Sequence, residues 1–137
     1  YMVLGNHEYI SGIDESIRYI KSTPIQLLRD SVVTLPNGIQ LIGRDDRHNR
    51  KRRSLQELMV NVDKSKPIIL LDHQPFDLEE TEAAGIDLQF SGHTHHGQTW
   101  PINWVTDYIC KATVIANGET HIYMYLPDCL YGDHPSE

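Results

Sequence analysis

Ile68-Ile69-Leu70-Leu71 is an unbroken apolar run fenced by Pro67 and Pro75, and it restricts the fold more than any other stretch. A strand with one wet face alternates apolar and polar residues. A strand that is apolar at every position is of the kind buried on both faces, which points to an α/β arrangement. Asp72-His73-Gln74 follows at once. Pro75 cannot donate to a strand ladder and fixes the turn, so His73 is left at the mouth of the strand.

Two other segments repeat this plan. Tyr1-Met2-Val3-Leu4 reads as a short strand running into Gly5-Asn6-His7-Glu8, and Leu88-Gln89-Phe90-Ser91 runs into Gly92-His93-Thr94-His95-His96-Gly97. Glycine lets the backbone turn sharply or approach a neighbour closely. In α/β folds, sites gather where strands end at their carboxyl side. Neutral imidazole is the commonest ligand for borderline metal ions. His93 and His95 can reach one ion, or two neighbouring ions, if the loop curls. Asn6 offers a neutral oxygen or an amide donor, and His7 is a ligand or an acid-base group. Each segment alone also describes something plainer: a histidine-rich surface loop, a core histidine with its partners satisfied, or an ordinary turn. Three histidine loops behind three predicted strands favour a metal centre.

The rest of the chain supports α/β in one domain, residues 1–137. Ile13, Ile17 and Ile20 recur at helical spacing, with Ser11 or Asp14 near the start and Pro24 beyond the end, which predicts a helix over about residues 12–22. Ile25-Leu28 and Val32-Leu35 read as strands, and Pro36-Asn37-Gly38 turns the second into a return arm at Ile39-Gly43. Ser54-Leu55-Gln56-Glu57 fits a capping box opening a helix over about 54–62. Asp77 to Ala84 reads as a short helix closed by Gly85. Trp100, Trp104, Tyr108 and Ile109 give an apolar face to a helix over about 102–110, as core or partner-facing packing or as a groove for a greasy substrate. Thr113-Ala116 and His121-Leu126 read as a last hairpin around Asn117-Gly118. His48, His121 and His134 have no companions in sequence and read as surface residues.

Composition excludes several classes of function. The net charge is -7, so the domain has no general attraction for nucleic acid or acidic membranes. Against that sign stands the basic run Arg47, Arg50, Lys51, Arg52 and Arg53, which reads as a solvated loop or as a local attraction for phosphate at the edge of a site. Cys110 and Cys129 cannot make a disulfide framework and form no Cys-x-x-Cys motif, so reduced thiols are expected. No stretch approaches the roughly 20 apolar residues of a membrane span.

The segments Val3-Leu4-Gly5-Asn6-His7-Glu8-Tyr9, the strand ending at His73, and Asp87-Leu88-Gln89-Phe90-Ser91-Gly92-His93-Thr94-His95 resemble the calcineurin-like metallophosphoesterases, in order and in strand context. They look most like the bacterial branch related to membrane-associated phosphodiesterases. The resemblance covers about residues 1–100. It implies a two-sheet sandwich flanked by helices and metal-dependent hydrolysis of a phosphomonoester or phosphodiester. It also implies two divalent cations (Mn, Fe or Zn) about 3.5–4 Å apart that share a hydroxide. Asn6, His73 and His93 match ligands of the second metal, and His95 matches a ligand of the first. His7 matches a histidine that is not a ligand but acts on the phosphate or protonates the leaving group.

The departures set further expectations. The family's Asp-x-His and Gly-Asp-x-x-Asp motifs, which carry the bridging carboxylate, would precede Tyr1. The chain therefore reads as the carboxyl-terminal part of a phosphoesterase, a partial sandwich that binds at most one cation and is weak or inactive alone. His96 stands where this branch usually has glycine, and either crowds the site or adds a ligand. A sandwich lacking strands should expose Tyr1-Leu4 and Ile68-Leu71 as open edges and self-associate. The expected location is cytoplasmic, or membrane-associated through a preceding segment. The alternative from another class is a non-catalytic metal-binding or structural remnant that keeps one site from Asn6, His73 and His93.

Overall fold

A computed structural model describes residues 1–92 together with the backbone of a strand at Ile122–Tyr125. In chain order the elements are α1 (Asn6–Lys21), β1 (Ser31–Thr34), β2 (Gln40–Gly43), α2 (Leu55–Met59), β3 (Ile68–Leu71), α3 (Leu78–Ala84), β4 (Leu88–Ser91) and β5 (Ile122–Tyr125). The strands form one sheet in the order β1-β2-β3-β4-β5. β1 and β2 pair antiparallel, and every later pair is parallel. This is the α/β class that the apolar run required.

Ile68 and Leu70 are buried, as a strand covered on both faces should be. They join Ile42, Leu55, Leu58, Met59 and Ile86 in one core that α2 and the segment after α3 close over. Each such side chain contributes about 1.5–3 kcal/mol by leaving water. β3 lies between β2 and β4, so Ile68-Leu71 is not an open edge; both of its sides are paired within this chain. The self-association argued from that edge loses its basis there.

Two polar side chains fix the ends of these strands. Gln40 is buried in β2 and donates its Nε2 to the Asp63 carbonyl (2.7 Å), while its Oε1 accepts the Asp63 N–H (2.8 Å). Asp87 accepts the Ile68 N–H on Oδ2 (2.7 Å) and donates its own N–H to the Ile68 carbonyl (3.1 Å), which sets the entry of β3 and β4.

The hairpin turns at Gly38, which adopts φ 88, and the capping box at Ser54 and Glu57 is closed in both directions. Gly85 ends α3 in the left-handed conformation, with φ 81. The expected helix over about 12–22 is the second part of a longer one. α1 begins at Asn6, and Gly12 (φ 120, ψ 95) kinks it, so the start signals at Ser11 and Asp14 belong to the segment after the kink. The strands expected at Tyr1-Leu4 and Ile25-Leu28 shrink to a single parallel bridge, Met2 to Leu27. The first run turns into helix at Gly5, and Asp30, held at φ 46, breaks the second. β5 falls within the expected His121-Leu126 strand and pairs with β4. The other arm of that hairpin, the helix over 102–110, His121 and His134 lie outside the described residues.

α1 is tied to the loop after β2 by one carboxylate. Asp45 accepts the Tyr9 hydroxyl (2.7 Å), Arg29 Nε and Nη2 (2.9 and 2.7 Å) and Asn49 Nδ2 (3.0 Å). Burial pushes the Asp45 carboxyl up, but the hydrogen bonds from Arg29, Tyr9 and Asn49 outweigh it and hold the carboxyl below its ordinary value. The same burial and the facing carboxylate push the Tyr9 phenol up to about 12.

Replacing Asp45 by Ala is expected to cost about 2–4 kcal/mol at neutral pH, because three side chains lose a buried acceptor together. The folded-state pKa of Asp45 is depressed. Its stabilisation is therefore present above the unfolded carboxylate value of about 4 and fades as pH falls through the folded value. Urea unfolding of wild type and Asp45→Ala at neutral and acidic pH checks this: the gap should narrow in acid, and a gap constant with pH would refute it.

Candidate active site

Parallel pairing of β2, β3 and β4 places their carboxyl ends along one margin of the sheet, where the chain leaves each strand into a loop. Arg44, Asp45 and Asp46 follow β2. Asp72 and His73 follow β3, and Gly92 follows β4. The ladder runs on past the strands: Asp72 N–H donates to the Phe90 carbonyl (3.1 Å), and Gly92 N–H to the His73 carbonyl (3.0 Å). His73 is thereby held against the segment that leads into His93.

The other side of the site is the start of α1. Asn6, His7 and Glu8 form its first turn, and the Glu8 carboxylate accepts the Gly5 N–H (2.7 Å). Glu8 thus satisfies an orphan donor at the helix start. His73 Nε2 lies 3.0 Å from Asn6 Oδ1. The His73 ring rests directly over Gly5: a Cβ at position 5 would stand 2.8 Å from both Cε1 and Nε2. Any larger residue there would force the ring to shift. A Cβ at Gly92 would meet His73 Nδ1 at 3.7 Å, so the ring packs close to Gly92 as well.

Of the residues expected to form a site, Asn6 and His73 come together, both half-buried. His7 is the next residue along α1 and is exposed. His93, His95 and His96 lie outside the described residues. Among the described residues there is no group of three or more His, Cys, Asp or Glu that could hold a metal ion. The donors present still fit one. A separation of 3.0 Å is that of a hydrogen bond and also that of two neighbouring ligands, each about 2.1 Å from a shared cation.

Sequence reasoning missed several polar residues on the same margin. Asp72 is buried and accepts both Arg44 Nη1 (3.4 Å) and Arg52 Nη2 on the same oxygen, Oδ2. Burial pushes its carboxyl up even though two guanidiniums pull the other way. Burial, and then the neighbouring Arg52, hold Arg44 below its ordinary value. Asp46 is buried and accepts the His48 N–H and ring Nδ1 (2.9 and 2.6 Å). His48 also stacks on Tyr9; it is the exposed surface residue that its sequence context suggests, with two partners that the sequence did not show. The available signal was position: each of these acids sits one to three residues beyond a strand.

The calcineurin-like phosphoesterase family matches residues 1–97, a span that contains every element of this margin. The chain belongs to that family. A metallophosphoesterase of Helicobacter pylori is 38% identical over 108 residues, covering 75% of this chain and 29% of that protein. A metallophosphoesterase of Aquifex aeolicus is 36% identical over 102 residues, covering 71% of this chain and 39% of its own length. A bovine transmembrane protein with a metallophosphoesterase domain is 31% identical over 121 residues, covering 75% and 27%. The chain thus spans well under half the length of these relatives. No solved structure matches it. Members of this family are metal-dependent hydrolases, and the chain is phosphoesterase-like by this kinship. Among the described residues no helix is long and apolar enough to cross a membrane.

The seating of His73 on Gly5 can be tested. Gly5→Ala should leave the fold intact, because the added methyl meets the mobile end of a side chain and the core is elsewhere. It should displace the ring and break the Asn6 contact. The nuclear magnetic resonance signals of the His73 ring are expected to shift while the thermal midpoint changes little. Unchanged ring signals would show that the close approach does not hold.

Proposed function

We propose that this domain hydrolyses phosphoesters with a divalent cation held by Asn6, His73 and His93, with His95 on the neighbouring metal position and His7 as the proton donor to the leaving group. The observation that carries the reading is the 3.0 Å approach of His73 Nε2 to Asn6 Oδ1 at the carboxyl margin of a parallel sheet, in a chain of this family. A divalent cation bound there supplies Lewis-acid polarisation of the phosphoryl group and a hydroxide at neutral pH.

The chain's own residues do the rest. Gly5 lets the His73 ring approach the backbone closely, and Asn6 fixes which way that ring faces. The hydrogen bond from Gly92 to the His73 carbonyl keeps the segment before His93 beside them. His7, exposed on the first turn of α1, can deliver a proton to the departing oxygen. Asn6, His73 and His93 are neutral donors, so the chain should hold one cation with modest affinity. Mn, Fe and Zn all suit such imidazole and amide ligands. The membrane attachment named for the bovine relative makes a membrane-proximal setting a reading for this domain too.

The test is hydrolysis of an aryl phosphodiester and an aryl phosphomonoester by the protein supplied with manganese, iron or zinc in turn. His73→Ala should lower turnover at least tenfold and weaken metal binding. His7→Asn should lower turnover about 100-fold with metal binding intact, the loss expected for a proton donor. Stoichiometry should be one cation per chain. Metal binding without turnover under every metal would favour the alternative, a binding remnant. Turnover that survives both substitutions would sink the assignment of residues.

A further inference from the structure

A second polar centre lies one residue away from His73 and plays no part in the reading above. Arg44 leaves β2 and Arg52 precedes α2, yet both guanidiniums converge on Asp72. Their side chains are only 10% and 8% exposed. Two buried positive charges share a single carboxylate, an arrangement in which desolvation outweighs the attraction unless further partners are found. Arg44 Nε and Arg52 Nη1 are both buried and have no hydrogen-bond partner among the described residues. A buried donor left unpaired costs about 1–3 kcal/mol, so a structural ion pair alone accounts poorly for this pair.

Arg44 and Arg52 are among the residues that line an open surface groove of about 370 Å³ with a largely basic wall, although their two unpaired nitrogens are themselves buried. Arg44, Arg47, Arg50, Arg52 and Arg53 contribute to it, against the carboxylate of Asp77 in the wall and that of Asp72, which pairs with Arg44 and Arg52. Arg47 is committed to Asp77 and lies over the Phe76 ring at 4.8 Å. Arg53 donates to the backbone carbonyls of Asp30 and Glu57. Among the described residues Arg50 forms no ion pair, although it lines the groove. A chain of net charge -7 therefore concentrates positive charge at one place, and guanidinium forks match the oxygens of phosphate.

We propose that this arginine groove is a binding site for a phosphate group, placed to hold a second phosphate of a substrate whose scissile phosphoester lies at Asn6 and His73. As a substrate subsite the inference rests on the hydrolase reading. As a phosphate site it stands on the groove alone. The two side-chain systems start from consecutive residues, Asp72 and His73. The favoured substrate class is a diphosphate or a bisphosphate, and the other source of the same chemistry is free inorganic phosphate.

Calorimetry with inorganic pyrophosphate and with inorganic phosphate, on the full chain in the presence of a metal chelator, tests the site without turnover. Saturable binding is expected, retained in His73→Ala and weakened about tenfold or more in Arg52→Gln. Loss of Arg52 strands Asp72, so Arg50→Gln, at an exposed position, provides a second variant in which the fold is expected to survive; several-fold weakening is expected there. Kinetics then separate the sources. A KM that rises more for an aryl diphosphate than for an aryl monophosphate in Arg50→Gln assigns the site to substrate, and equal changes in both, with phosphate binding lost, assign it to free phosphate. Absence of saturable binding, or binding equally tight in wild type and both arginine variants, would overturn the proposal. Absence of turnover would count only against the hydrolase reading, because the metal-free binding measurement does not depend on it.

Discussion

Parallel pairing of three short strands governs the whole arrangement. Because β2, β3 and β4 run the same way, the residues that follow each of them emerge on one margin, and each strand needs only one or two extra residues to place chemistry there. The apolar interior of β3 makes that placement firm. Ile68 and Leu70 cannot shift register without exposing themselves, so Asp72 and His73 stay where the ladder leaves them. The catalytic proposal and the phosphate proposal both depend on this constraint, since the two residues they start from are consecutive.

Buried carboxylates do the fastening. Asp45 gathers Tyr9, Arg29 and Asn49, and in doing so ties α1, the segment before β1 and the loop after β2 together. Asp30 takes the backbone N–H groups of Asp45 and Arg53 on its two oxygens, which links the same region to the start of α2. Asp72 gathers Arg44 and Arg52. The two centres differ in balance. Asp45 meets a half-exposed arginine and neutral donors, so its ionised form is favoured. Asp72 lies deeper, with two guanidiniums that are themselves starved of partners. The first is a clasp that positions Asn6 and His7, while the second keeps unspent donor capacity beside the site.

Much of this was legible in the sequence where local rules and burial agree. The apolar run gave β3, the Ser54 and Glu57 pair opened α2, Gly85 closed α3, and Pro36-Asn37-Gly38 turned the hairpin. The joining of Asn6 to His73, from opposite parts of the chain, followed from motif order and strand ends. Other features were hidden because they arise only on folding. Gly12 bends a helix that starts at Asn6, six residues before the expected start at about 12, since the first turn is stabilised by Glu8 rather than by an apolar stripe. The basic run looked like a solvated loop, because nothing local shows that Arg52 will be buried against an acid twenty residues later. The expected open edge at Ile68-Leu71 failed for a similar reason: partners for β3 come from β2 and β4 across long separations.

The central claim is that His73 faces a cation together with Asn6. Zinc titration of the protein carrying nitrogen-15 histidine, followed through the ring nitrogens, tests it directly. One equivalent should shift the His73 Nε2 signal into the range of a coordinated imidazole, and Asn6→Ala should weaken that response. Zinc that binds stoichiometrically while the His73 ring nitrogens keep their metal-free signals would contradict it.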